Sequence, residues 1–186
     1  AYRALAAGRR IELAAPTCSL KGWAERLRVY ADAEARHSLA SWLQPVDPEI
    51  VSLPRDRQAD ASANTDQSAG SVTVSLTPDR TMALLQRAPA TYRARAHELL
   101  LTALASTLSS WTGRSTTLVD VEGHGREDLF PDVDLSRTIG WFTTIYPVAL
   151  AAHPGDLEST VRTVKDTVRS LPERGLTFGV LRYLSS

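Results

Sequence analysis

The chain has 186 residues, 21 basic against 21 acidic, and 43% hydrophobic side chains. That is enough for one domain, or for two lobes of a larger unit, with apolar material to bury a core. The balanced charge argues against nucleic acid or an anionic membrane as partner, no apolar run approaches the roughly 20 residues of a membrane helix, and the single Cys18 rules out an internal disulfide framework and fits a reducing, cytoplasmic compartment.

Residues 1–7 read as the last turns of a helix, with Gly8 as its stop and no N-cap ahead of them. The end, Leu184-Ser185-Ser186, carries no stop signal either, so the expectation is the middle of a longer chain. An extended piece over residues 10–14 leads to Pro16. Ser19 can cap a helix in which Leu20, Trp23, Leu27, Tyr30 and Ala31 recur at three- and four-residue spacing and mark one buried face. A further helical stretch over residues 34–43 ends on Trp42 and Leu43, and Pro45 and Pro48 close it. His37 has no partner there at metal-ligand spacing and reads as a surface or packing histidine. Residues 55–71 are small and polar and read as a flexible loop or interlobe linker.

Residues 72–76 alternate and predict a strand. Thr77 then caps a helix with Pro78 in first position; Met82, Leu84 and Leu85 lie on it and Pro89 ends it. The longest helical signal covers residues 92–110, where Leu99, Leu100, Ala103, Leu104 and Leu108 make a broad apolar face, with Thr112 and Gly113 as the stop. His97 and Glu98 are adjacent, do not share a helix face and so do not form a catalytic pair. Asp156 caps a helix over residues 157–170 with Val161, Val164 and Val168 at helical spacing; Pro172 starts a loop, and residues 178–184 open another element. Helices with interspersed strands and no internal repeat give an α/β or α+β class.

The stretch with most chemistry is residues 120–127, Asp-Val-Glu-Gly-His-Gly-Arg-Glu. It begins as a strand over residues 116–121, then breaks into two glycines, acids, a histidine and an arginine, a mixture no core strand needs. Residues 141, 143 and 145 return to strand, so two strands flank a polar loop. His124 and Asp128 fit a His-x-x-x-Asp spacing, but no His precedes and no Gly follows, and the match is coincidence. Four histidines and one cysteine spread along the chain give poor support to a metal site, and neither a phosphate-loop pattern nor a Gly-x-Ser-x-Gly frame occurs.

Glu-Gly-His-Gly-Arg-Glu at residues 122–127, followed by Arg-Thr-Ile-Gly-Trp-Phe-Thr-Thr-Ile-Tyr-Pro-Val at 137–148, resembles the signature pair of epimerization domains of nonribosomal peptide synthetases, relatives of the condensation domains. Residues 92–105 resemble the family's helical segment, with Glu98 where the family has Asp, and residues 172–183 resemble a later segment. The family's His-His-x-x-x-Asp-Gly motif is missing; in the family it lies just upstream of the segment resembling residues 1–13. The resemblance implies a two-lobed fold like chloramphenicol acetyltransferase with a tunnel between the lobes, residues 1–70 finishing the N-terminal lobe and linker and residues 71–186 forming the beginning and middle of the C-terminal lobe.

It also implies inversion at the Cα of an aminoacyl or peptidyl thioester carried on the phosphopantetheine arm of a peptidyl carrier protein, beside other synthetase domains of the same chain. No cofactor bound by this chain is called for, since the arm belongs to the carrier. Inversion needs an acid/base group on each face of Cα and a donor for the enolate oxygen. Glu122, at a strand end where partial burial raises a carboxyl pKa, is the candidate base, and its partner is the second His of the missing motif. Charge alone favours a different role, Glu122 paired with Arg126 or Arg137 to hold the loop. His124, Arg126, Arg137, Trp141 and Tyr146 are candidates to support the site or line the tunnel, and Glu127 reads as scaffold. Two rival functions stand beside this: an amide-forming condensation domain, and a module that only binds carrier protein.

Overall fold

A computed structural model describes residues 2–12, 15–43, 53–55 and 65–185. The expectations for residues 13–14, for Pro45 and Pro48 and for most of the polar stretch 55–71 lie outside the described residues. The chain packs as two compact units of interleaved segments, Ala1–Leu43 with Glu122–Tyr146 and Pro172–Ser186, and Gln44–Val121 with Pro147–Leu171. Helix and strand mix as expected for the α/β class.

In the first unit, α1 (Tyr2–Ala6) stops at Gly8, whose φ of 63° lets its N–H turn back to the Leu5 carbonyl. Helix α2 (Leu20–Ala33) starts on the Ser19 hydroxyl, which accepts from Gly22 N–H at 3.0 Å. Its Trp23, Tyr30 and Ala31 are buried with Leu135, Phe142, Leu176 and Val180, whereas Leu20 stays 40% exposed. Trp23 and Tyr30 meet Phe130 edge-on, and Arg26 covers the same ring at 4.5 Å while forking to Asp132. The stretch after α2 forms a 3₁₀ turn (Ala35–Ser38) and α3 (Leu39–Trp42). Trp42 donates to the Thr177 hydroxyl at 3.0 Å from α8 (Leu176–Tyr183), and packs on Phe178.

In the second unit, the Thr77 hydroxyl and Pro78 open α4 (Pro78–Met82) as expected. Pro89 does not end the helix. The chain passes through a π turn (Ala83–Arg87) into α5 (Ala88–Tyr92), so the wider i→i+5 bonding accommodates a residue that has no N–H and would clash with the carbonyl four back. Helix α6 (Ala96–Thr112) therefore starts later than expected, after Arg93 has turned left-handed at φ 48°.

The buried face of α6 is also a correction. Glu98, Leu99, Thr102, Ala105 and Ser109 face inward, while Leu100 and Leu104 are 54% and 41% exposed. Small side chains allow α6 to pack against α7 (Leu157–Ser170), and the polar ones are satisfied internally, Thr102 Oγ1 donating to the Glu98 carbonyl at 2.7 Å. Helix α7 starts on Asp156, which accepts from Ser159 N–H, and buries Val161 and Val164. Residues 72–76 form neither helix nor paired strand, with Val72 and Val74 94% and 86% exposed, so the expected strand is absent among the described residues.

Two strands pair, β1 (Thr116–Gly123) and β2 (Thr144–Ala151). Ala152 N–H donates to the Ser115 carbonyl at 2.7 Å, so the start of β1 lies beside the end of β2 and the pair is antiparallel. In this register the nitrogen of Pro147 points away from β1, where a missing N–H costs nothing. No helix among the described residues is long and apolar enough to cross a membrane.

Glu98 ties α6 to α7. Its carboxylate is 1% exposed, takes Arg169 Nε at 2.8 Å and Nη2 at 2.9 Å, and accepts Arg95 N–H at 2.7 Å. Burial pushes its pKa up, but these bonds outweigh it and hold the carboxyl below its usual range. A depressed pKa in the folded state adds stability above the unfolded value, lost as pH falls through the folded one. Glu98→Gln is expected to lower stability by about 1–2 kcal/mol at neutral pH, a figure discounted for the half-exposed Arg169. In urea unfolding the gap from the parent chain should shrink below about pH 4.3; a gap independent of pH would refute the ionic role.

Candidate active site

The tip of the hairpin belongs to the first unit, and alternation along β1 decides which side each residue faces. A Cβ on Gly123 would lie 2.8 Å from Thr144 Oγ1 and 3.2 Å from Tyr146 Cε1, so Gly123 faces the buried side with those residues. Glu122, one residue earlier, faces the opposite side with Ile145 and is exposed. The partial burial expected for Glu122 is therefore not present in this chain. Nor is the expected loop-holding ion pair: Glu122 has no hydrogen-bond or ionic partner among the described residues.

The arginines are engaged elsewhere. Arg126 donates from Nη1 to the Leu135 carbonyl at 2.6 Å and from Nη2 to the Thr138 carbonyl at 2.9 Å, and its guanidinium lies 4.0 Å over the Phe142 ring. Arg137 donates to the Ala15 carbonyl at 2.8 Å. Arg126 and Arg137 thus each hold backbone carbonyls.

His124 is held at both nitrogens. Its Nδ1 accepts the N–H of Arg126 at 3.0 Å, so the ring hydrogen sits on Nε2, 3.3 Å from Glu127 Oε1. The turn that allows this passes through Gly125 at φ 66°, packed so tightly that a Cβ would lie 1.6 Å from the Phe142 carbonyl oxygen. Glu127 also accepts from Arg174 Nη1 at 3.2 Å. The sequence reads Glu127 as scaffold and offers Arg174 only within a longer segment. Charge pattern does not pair them, because they stand 47 residues apart. A cavity of about 340 Å³ borders this loop, lined by Arg126, Glu127, Asp128 and residues 133–136.

Tyr146 and Trp141 part company. Tyr146 is 7% exposed, beside Trp42 and beneath Gly175, and burial followed by the negative charge of Glu127 pushes its phenol pKa up. It lines the side of the hairpin away from Glu122, as support for the fold. Trp141 is 85% exposed and lies ahead of β2 rather than in it, as Phe142 takes the buried position. Among the described residues no three His, Cys, Asp or Glu side chains gather as metal ligands.

A strand end with an exposed carboxylate that no described residue neutralises is suited to proton transfer with a group brought to it. The condensation domain model matches residues 1–186. A linear gramicidin synthase of Brevibacillus parabrevis is 46% identical over 190 residues, which take in 100% of this chain and 2% of that protein. Among solved structures, the epimerization domain from the third module of tyrocidine synthetase B is 31% identical at a TM-score of 0.86, over 100% of this chain and 41% of that one. The first condensation domain of the CDA synthetase is 26% identical at a TM-score of 0.65, over 90% of this chain and 36% of that one. The chain thus spans under half of either solved domain and a small part of the curated relative.

Gly125→Ala is expected to cost roughly 3 kcal/mol or more in chemical unfolding, since both the left-handed angle and the Phe142 carbonyl oppose a Cβ. Gly155→Ala serves as the control: its φ is 80° but nothing lies within 4 Å, so about 1 kcal/mol should be lost. Equal costs at the two sites would remove the close approach as the reason for Gly125.

Proposed function

The chain belongs to the condensation-domain family, and from that premise we propose that it forms part of an epimerization domain of a nonribosomal peptide synthetase. The substrate is an aminoacyl or peptidyl thioester, delivered on the phosphopantetheine arm of a carrier protein. The reaction is interconversion of the L and D configurations at Cα.

The observation that carries this reading is Glu122: an exposed carboxylate on the penultimate residue of β1, with no arginine among the described residues spent on neutralising it. The adjacent thioester carbonyl makes the α-hydrogen acidic enough to remove, because the electron pair left behind spreads into an enolate. Glu122 takes or returns the proton on one face of Cα. A second group acts on the other face, the family's upstream histidine by resemblance. One proton leaves and one is returned, so no oxidant or reductant is needed. The likeness to the tyrocidine epimerization domain, nearer in fold and sequence than that to the CDA condensation domain, supports the same choice.

Amide formation is the second reading, favoured by the family model and by the CDA condensation domain. The two separate cleanly with a carrier-bound aminoacyl thioester in deuterated water and no amine acceptor. In the complete protein, Cα exchange with loss of configuration is expected, and Glu122→Gln should slow it at least about a hundredfold while preserving shape. Amide formation on adding an acceptor, with no exchange without one, would decide for condensation.

A further inference from the structure

The carboxylate of Glu127 is held in a way that bears on Glu122. Its side chain is 10% exposed and both oxygens are taken, Oε1 by His124 and Oε2 by Arg174. The His124 contact reaches a residue two positions from Glu122, on a loop already pinned at Gly125 and by Arg126. The Arg174 contact reaches a kinked turn (Pro172–Gly175) in which Glu173 and Arg174 stand at φ 42° and 50°. Such angles are unfavourable for residues with a Cβ and persist where surrounding contacts over-determine them. Gly175 follows at φ 91°, where a Cβ would sit 2.1 Å from the Tyr146 ring, so the turn also bears on the strand that pairs with β1.

We propose that Glu127 is a positioning residue for Glu122: by bridging His124 and Arg174 it fixes the angle at which the end of β1 presents the Glu122 carboxylate to Cα. This rests on the reading of Glu122 as an acid/base group. A brace that serves only folding would change how much protein is folded. A positioning brace changes turnover in protein that is fully folded, because a small misplacement of a reacting group is costly in rate.

The test uses the complete protein and a carrier-bound aminoacyl thioester, with Cα deuterium exchange as readout. Glu127→Gln and Arg174→Gln are each expected to lower kcat about tenfold with KM and the urea midpoint nearly unchanged. Combining them should cost no more than either alone, since they act as one unit. Arg174→Lys keeps a cation opposite Glu127 and should recover most of the rate, and it covers the case in which the glutamine variants fold poorly. If Glu122→Gln abolishes exchange while Glu127→Gln turns over at the parental kcat, or loses rate only in proportion to its folded fraction, the positioning role is overturned and the base survives. If Glu122→Gln exchanges at the parental rate, both fall together.

Discussion

Arg126 lies flat on Phe142 and forks to the carbonyls of Leu135 and Thr138. Each of these three partners is a neutral group. The loop after β1 is therefore closed by a cation that leaves the neighbouring carboxylates uncommitted. Glu127 takes His124 and Arg174 as its partners, and Glu122 takes none among the described residues. Two glutamates five residues apart, one on β1 and one in the loop after it, consequently differ in kind: one nearly enclosed and doubly paired, one exposed and without a side-chain partner among the described residues. The guanidinium makes that division possible, since an arginine turned toward Glu122 would have produced the loop-holding pair that charge alone suggests.

Much of the fold was legible where one residue determines a local outcome. Ser19, Thr77 with Pro78, Asp156 and Gly8 mark helix ends by hydrogen bonds or angles that do not depend on distant parts of the chain. What stayed illegible depended on partners. Residues 72–76 have the alternation of a strand, but a strand exists only when another pairs with it, and none does among the described residues. On α6 the apolar pattern pointed to Leu100 and Leu104, yet the inward face carries Glu98 and Thr102, because Arg169, seventy-one residues on, makes burial of a carboxylate tolerable. The site shows the same division. Alternation puts two of the candidate residues, Tyr146 and Glu122, on opposite sides of the hairpin, and the Glu127–Arg174 contact had no local signal.

Fold and chemistry are carried by different amounts of the chain. The likeness to solved epimerization and condensation domains extends over nine-tenths or more of its residues. The fold alone does not choose between proton transfer and amide formation, since solved domains of both names share it. A shared framework with divergent sites is the common case for widely used folds. The framework here supplies a stiff strand end, a loop stitched to its own carbonyls, and a turn held away from its preferred angles, and these are conditions for aiming a side chain rather than for any one reaction.

The wide turn ahead of Pro89 has a bearing on how α4 and α5 meet their neighbours. Leu84, Ala88 and Tyr92 are spaced by four, and on a regular helix each such step overshoots a full rotation by about 40°, which would walk the three around the cylinder. All three nevertheless lie against the cluster of Ala94, Leu99 and Val161. The wider winding of the Ala83–Arg87 turn opposes that drift, so the segment accommodates what amounts to an insertion without extruding a loop.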